Sequence, residues 1–233
     1  MEHRRDRWYP FLSALFAVIL VVSNIIAVKL VQVGGMVLPA AVVLFPLAYV
    51  LGDVLTEVYG YAYARRVIWT GFFANLVAVA AIWVGGWLPA APFWDAGLGS
   101  AAAAQRAYRA ILGFMPRLLL ASFVAYLVGE FLNAYVLAKL KVRTGGRFLW
   151  LRTIGSTIVG EGADTLVFIT LAFYGIIPTA GLVWAVLSQW GVKVAYETLV
   201  TPLTYLVVNA LKRAEGVDHF DRDTDFRPWV EVL

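Results

Sequence analysis

Apolar residues along this chain fall in long unbroken runs rather than in alternation. Six stretches, near 9–31, 37–59, 66–88, 110–138, 149–174 and 179–210, each hold the ~20 residues that a helix needs to cross a hydrocarbon core. The breaks between them carry turn chemistry or charge: Gly34-Gly35, "YGYAYARR", "LPAAPFWDAGLGS", "KLKVRTGGR" and "YGIIP". Continuous runs favour spanning helices over a barrel, whose strands would alternate over about ten residues. The pattern therefore predicts an all-α integral membrane protein with six transmembrane helices. They form one domain over 1–211, and an acidic tail follows over 212–233.

Composition agrees. The chain is 61% hydrophobic and only 15% charged, where a soluble domain carries about a quarter charged residues; mean hydropathy is +0.77. The net charge of +4 does not point to nucleic acid, because the basic residues flank the apolar runs. They read instead as topology signals. With the N-terminus inside, the inner segments hold Arg4, Arg5, Arg7, Arg65, Arg66, Lys139, Lys141, Arg143, Arg147, Lys212 and Arg213. The outer ones hold Lys29, Arg106, Arg109 and Arg117. Both termini are expected in the cytoplasm, with Trp8, Trp87, Trp94 and Trp150 as anchors near span ends.

The basic start and apolar run at the N-terminus are too long for a signal peptide and predict an uncleaved first span. The tail "RAEGVDHFDRDTDFRPWVEVL" reads as flexible and without chemistry of its own. With no cysteine, and with His3 and His219 both in the polar tails, no metal site or cofactor is expected inside the membrane.

The candidate chemistry lies in the polar residues that interrupt the spans. The stretch "VGEGADTLVF" (159–168) places Glu161 and Asp164 at the centre of the fifth span. Asp53, Glu57, Glu130, Lys193 and Glu197 are also inside apolar runs. Each such group costs about 2.5–3.5 kcal/mol to insert. Their spacing is helical: Asp53 and Glu57 at i,i+4, Glu130 and Asn133 at i,i+3, Glu161 and Asp164 at i,i+3, and Gln189, Lys193 and Glu197 in one stripe. Each set then shows one polar face to the bundle interior. Glu57 is expected to pair structurally with Arg65 or Arg66, while Lys193–Glu197 reads equally as an internal ion pair and as a ligand contact. Lys29 and Arg117 read as snorkelling side chains, Asn24 and Asn133 as interhelical glue or ligand contacts, and Gly52, Gly160 and Gly162 as points of close helix packing. Glu161 and Asp164 have no cation within two turns of their own helix. They must bind protons or meet something cationic or rich in N–H donors.

A faint internal echo accompanies this set. "NIIAVKL" (24–30) and "NAYVLAKL" (133–140) each precede a Gly-acid pair, Gly52-Asp53 and Gly160-Glu161, with the asparagine and acid 29 and 28 residues apart. Two three-span halves would be inverted relative to each other, an arrangement found in many secondary transporters.

Three longer runs, "FPLAYVLGDVLTEVYGYAYARRVIW" (45–69), "PRLLLASFVAYLVGEFLNAYVLAKLK" (116–141) and "TGGRFLWLRTIGSTIVGEGADTLVF" (144–168), resemble the queuosine precursor transporter family, earlier grouped as vitamin uptake transporters. The resemblance covers roughly residues 13–210; the acidic tail and the alanine-rich 100–104 depart from it. It implies a six-helix protein of the bacterial inner membrane that imports 7-cyano-7-deazaguanine or its 7-aminomethyl relative without an ATPase partner. A 7-deazaguanine presents one carbonyl acceptor beside N–H and NH₂ donors, and a carboxylate can accept from both donors at once. The chain offers acids at Asp53, Glu130, Glu161, Asp164 and Glu197, amides at Asn24, Asn133 and Gln189, and a cation at Lys193. Phe45, Tyr49, Phe168 and Tyr196 are the aromatic faces on which a flat ring could stack, though such residues are more often core packing than stackers.

On this reading the protein is a non-enzymatic secondary transporter whose partners are a small 7-deazapurine and the lipid bilayer, with no nucleic acid. A homodimer suits six short spans, but no interface pattern marks it. Two other classes compete. One is the substrate-binding subunit of an ATP-driven importer, docking through a small-residue face at Ser13 and Ala17. The other is an intramembrane aspartyl protease using Asp53 and Asp164, which "GEGAD" fits poorly because Ala163 separates the second glycine from the acid.

Overall fold

A computed structural model of the chain describes residues 7–33, 36–113 and 116–230. Helices dominate. In chain order they are α1 (Tyr9–Ile26), α2 (Phe45–Tyr59), α3 (Tyr61–Trp87), α4 (Ala101–Leu112), α5 (Pro116–Arg143), α6 (Leu149–Phe173) and α7 (Thr179–Glu215). Between α1 and α2 lie two antiparallel strands, β1 (Leu30–Val33) and β2 (Met36–Pro39), paired from Leu30↔Pro39 to Val33↔Met36, followed by a 3₁₀ turn at Ala40–Val43.

Five of the described helices lie in segments long and apolar enough to cross a membrane: α1, α3, α5, α6 and α7. The sixth expected span, 37–59, is not a continuous helix. Its first part is strand and 3₁₀ turn, and the 15 residues of α2 reach only about 22 Å, short of a ~30 Å core. The reason is local. Val-rich tetrapeptides on either side of Gly34-Gly35 prefer extended backbone, and Pro39 and Pro46 carry no N–H for a helix to use. The expected span 110–138 is also divided: α4 is a separate helix, capped at its start by the Ser100 side chain, and α5 begins at Pro116.

At one end of the bundle the chain start, the ends of α2, α5 and α7, and the starts of α3 and α6 converge. The backbone N–H groups of Arg7 and Trp8 donate to Glu215 at 3.1 and 2.6 Å, and Tyr59 Oη donates to the same carboxylate at 3.1 Å. Successive long helices therefore run antiparallel, and Arg65, Lys141, Arg152 and Lys212 gather at this end, called here the basic end. At the opposite end lie the hairpin and α4, which holds α3 through Gln105 and Arg109, both donating to the Gly86 carbonyl at 2.9 Å. Arg117, expected to snorkel, instead ties α5 to the end of α6, donating to the carbonyls of Leu171 (2.7 Å) and Tyr174 (2.6 Å).

The core runs along α1, α2, α3 and α7, with Phe16, Val54, Leu55, Val58, Val67 and Val208 all essentially sealed. Outward positions are apolar too: Val77, Leu120, Leu199 and Leu206 are exposed, as lipid contact requires. Helices α5 and α6 pack closely because glycine permits it. A Cβ on Gly160 would stand 2.6 Å from Asn133 Cβ and 2.9 Å from its backbone, and one on Gly129 would stand 2.6 Å from Asp164 Cβ.

The tail is not loose. It folds back across the basic end, with His219 N–H donating to the Val58 carbonyl at 3.1 Å and Asp221 accepting from Tyr61 N–H at 3.1 Å. Arg65 donates to the carbonyls of Asp225 and Arg227, and Trp69 to that of Pro228. The turn that admits the tail needs glycine: Gly60 has φ of +88°, and a Cβ there would meet the His219 ring at 2.3 Å.

Candidate functional site

Four helices bring the polar set together. Asp53 and Tyr49 come from α2, Glu130 and Asn133 from α5, Glu161 and Asp164 from α6, and Lys193 and Glu197 from α7. Lys193 is the hub. Its Nζ donates to Glu161 Oε2 at 2.7 Å and to Asp164 Oδ2 at 2.5 Å. Tyr49 Oη donates to the same Glu161 oxygen at 3.3 Å. The cation that the α6 acids lack within two turns of their own helix is thus supplied by α7.

Lys193 does not pair with Glu197, one of the two readings of that stripe. Side chains on a helix tilt toward its N-terminus, so Lys193 leans away from Glu197 and toward α6. Glu197 is fully buried, and neither of its carboxylate oxygens meets a hydrogen-bond partner among the described residues. Asp53 is 1% exposed; its Oδ1 accepts from Asn133 Nδ2 at 2.9 Å, while its Oδ2 has no partner. Glu130 reaches toward Gly52, where a Cβ would stand 3.5 Å from its carboxylate.

The remaining expected residues lie at the margins. Asn24 is half-buried on α1 and makes no hydrogen bond among the described residues. Phe168 is half-buried and meets Phe173 edge-on at 6.2 Å. Gln189 is exposed on α7, a turn away from Lys193. The side chain of Phe45 lies outside the described residues. Gly160 and Gly162 mark close approaches as expected, the latter against Trp190, whose Nε1 donates to the Ile158 carbonyl at 3.0 Å; Gly52 does not, since a Cβ there would make only ordinary contacts, at 3.5 Å and beyond.

A second charged cluster, at the basic end, differs from expectation. Glu57 takes not Arg65 or Arg66 but Arg152, at 3.0 and 2.8 Å, together with Lys212 at 2.7 Å. Lys141 donates to the Glu57 carbonyl and to Asp218, and Lys212 also pairs with Asp218 at 2.8 Å. Arg152 further donates to the Arg147 carbonyl. Asp218, on the tail, is pulled up by partial burial, but the hydrogen bonds from Lys141 and Lys212 outweigh that and hold its carboxyl below the usual range. Arg152 was legible only as an arginine one turn inside an apolar run, a placement whose cost signals a partner.

Chemically, the α6–α7 triad can accept N–H donors through its carboxylates and donate through Lys193. Its side chains keep 9% (Glu161), 17% (Lys193) and 23% (Asp164) of their surface accessible, so a solute reaches them before it reaches Asp53 or Glu197.

The family model described as "Putative vitamin uptake transporter" matches residues 39–207, which take in α2, α5, α6 and the part of α7 that carries Lys193 and Glu197. A Bacillus subtilis (strain 168) protein named "Probable queuosine precursor transporter" is 32% identical over 186 residues, covering 79% of this chain and 78% of that one. The "Queuosine precursor transporter" of Escherichia coli (strain K12) is 27% identical over 169 residues, 70% and 68% of the two chains. No solved structure matches the chain. From β2 to well down α7, then, this chain belongs to the vitamin uptake transporter family, the membrane transporters that its three long motifs resemble.

Proposed function

We propose that this protein imports a queuosine precursor, a 7-deazaguanine carrying a 7-cyano or 7-aminomethyl group, as a secondary transporter with both termini in the cytoplasm. The observation that carries the reading is the Lys193–Glu161–Asp164 triad beside Tyr49, partly accessible in an otherwise apolar interior. Paired acids suit the adjacent N–H and NH₂ donors of the base, and the lysine suits its carbonyl. The names of the relatives support the same substrate class. Glu130 and Asn133 line the neighbouring wall.

The rival importer-subunit reading needs a free small-residue face on α1. Ala17, half of that face, is buried inside the bundle, which favours transport by this chain alone. The two acids of a protease reading have separate partners, Asn133 for Asp53 and Lys193 for Asp164. The test is uptake of labelled 7-cyano-7-deazaguanine and 7-aminomethyl-7-deazaguanine into liposomes holding only the purified chain. Saturable uptake of either supports the proposal; uptake that appears only when an ATPase partner is added overturns it.

A further inference from the structure

The tail leaves α7 at Gly216, where φ is +66° and an added Cβ would meet nothing within 4 Å. The chain has room to pivot there. Beyond the pivot it fastens to two groups of helices at once. On α5 and α7, Asp218 accepts from Lys141 at 2.5 Å and pairs with Lys212 at 2.8 Å, and Lys139 Nζ stands 4.0 Å over the Phe226 ring. On α2 and α3, the Val58 carbonyl accepts from His219 N–H, Arg65 and Trp69 donate to the carbonyls of Asp225, Arg227 and Pro228, and Tyr61 Oη donates to that of Phe226 at 2.9 Å. The Phe226 ring itself meets Tyr61 of α3 and Tyr135 of α5, with ring centres 4.9 and 5.2 Å away. It packs against the buried α3–α5 seam of Ala64, Ile68, Phe131, Ala134 and Ala138.

These fastenings are weaker than the ones beneath them. Glu57 and Arg152 are at most 1% exposed, and a buried pair of that kind does not part cheaply. Asp218 keeps 46% of its side chain exposed, so water competes for it and its ion pairs contribute little. When Asp218 departs, Lys212 retains Glu57 at 2.7 Å and Lys141 retains the same oxygen at 3.7 Å, so neither lysine is stranded. Most of the remaining hydrogen bonds run through the tail's own backbone, whose partners water replaces as it lifts. The tail can therefore come away while the Glu57 cluster stays whole.

We propose that the tail is a releasable strap over the inner gate. Docked, it holds α2 and α3 against α5 and α7 at the basic end, and it lifts about Gly216 before solute leaves there. Alternating access requires that end to open once in each cycle, and a strap fastened to both groups of helices opposes the opening. The proposal rests on the transport reading above, with the basic end inside.

Two measurements test it. The chain has no cysteine, so introduced ones react alone. In Trp69→Cys/Pro228→Cys, a short bis-methanethiosulfonate should link α3 to the tail. Linking should abolish uptake into proteoliposomes, and reductant should restore it, while each single-cysteine variant treated alike keeps its rate. Undiminished uptake by the linked protein overturns the proposal. The second measurement needs no substrate. Ala138→Cys, buried in the seam, should react faster with a polar maleimide once Asp218→Asn and Phe226→Ala are added to release the tail. An equal rate, or a rise matched at Ala121→Cys, buried toward the far end of α5, overturns the proposal. If neither deazapurine enters through the unlinked protein, the transport reading fails while the labelling still decides the strap.

Discussion

Arg152 of α6 holds Glu57 of α2 with two nitrogens, Nε at 3.0 Å and Nη2 at 2.8 Å, and both side chains are sealed from solvent. Lys212 adds a third donor at 2.7 Å. Removing one partner of such a buried pair costs about 3–5 kcal/mol, because the other charge stays buried without compensation. Glu57→Gln is worse placed than most, since it removes the acid that Arg152 pairs with and leaves Lys141 and Lys212 with Asp218. The expected result is a large fall in purified yield and in thermal midpoint in detergent. A midpoint within a degree of wild type would show that the cluster is not structural.

At the α6–α7 seam the expectation is the opposite, loss of function with the fold retained. Glu161→Gln and Asp164→Asn should each abolish uptake without lowering membrane insertion or monodispersity. Lys193→Met should do the same, and Lys193→Arg should recover part of the rate because a guanidinium can still reach two carboxylates. Normal uptake by both acid variants would remove the triad from the substrate path.

Gly160 is a steric prediction. Alanine there would place its Cβ 2.6 Å from Asn133 Cβ and 2.9 Å from that residue's Cα and N, which are backbone atoms that cannot rotate away. Helices α5 and α6 must then separate, at a cost of about 1–3 kcal/mol, and the Asn133–Asp53 hydrogen bond moves with α5. Uptake by Gly160→Ala should fall by more than its stability does, read as rate against thermal midpoint. Gly191→Ala, which has open space around it, serves as the control.

The tail gives a pH prediction. Asp218 is held below the usual carboxylate range by Lys141 and Lys212, and Asp225 is pushed down to about 2 by Arg227. A carboxyl with a lowered folded pKa stabilises its contacts above the unfolded value, about 3.9, and loses that contribution as pH falls through the folded value. Amide exchange across 216–230 should therefore be flat from neutral pH to about 4, allowing for the intrinsic rate, and should rise below it. Asp218→Asn should expose the tail at neutral pH. Protection unchanged in that variant would separate the tail from the cluster.

The spans that hydropathy marks most plainly are those with one solvent on every side. Helix α6 ends at Phe173 and α7 begins at Thr179 because the apolar run is interrupted at Gly175 and Pro178. Residues 30–43 are just as apolar, and hydropathy does not distinguish a strand from a helix there; the Gly-Gly between Val-rich tetrapeptides was the sharper cue. Of the site, the insertion cost of Glu161, Asp164 and Lys193 made them visible, but the partner of Lys193 was set by side-chain tilt across two helices. The Glu57 partner was misread because Arg65 is near in sequence while Arg152 is near in space. The tail's role was hidden for a simpler reason: besides Asp218 and Asp221, what it offers Arg65 and Trp69 are backbone carbonyls, which every residue has.

Pro202 sits inside α7, between the turn that carries Lys193 and Glu197 and the end that carries Lys212 and Glu215. Its ring has no N–H to give the carbonyl of Thr198, and it crowds that carbonyl as well. The longest of the described helices is therefore weakest at one rung. Below that rung α7 is riveted to Glu57, the tail and the chain start. Above it, the polar ties to α6 are Lys193 and the Trp190 indole. Stiffness is divided unevenly along α7, and bending should concentrate where the proline is, letting the site half tilt while the anchored half keeps its grip.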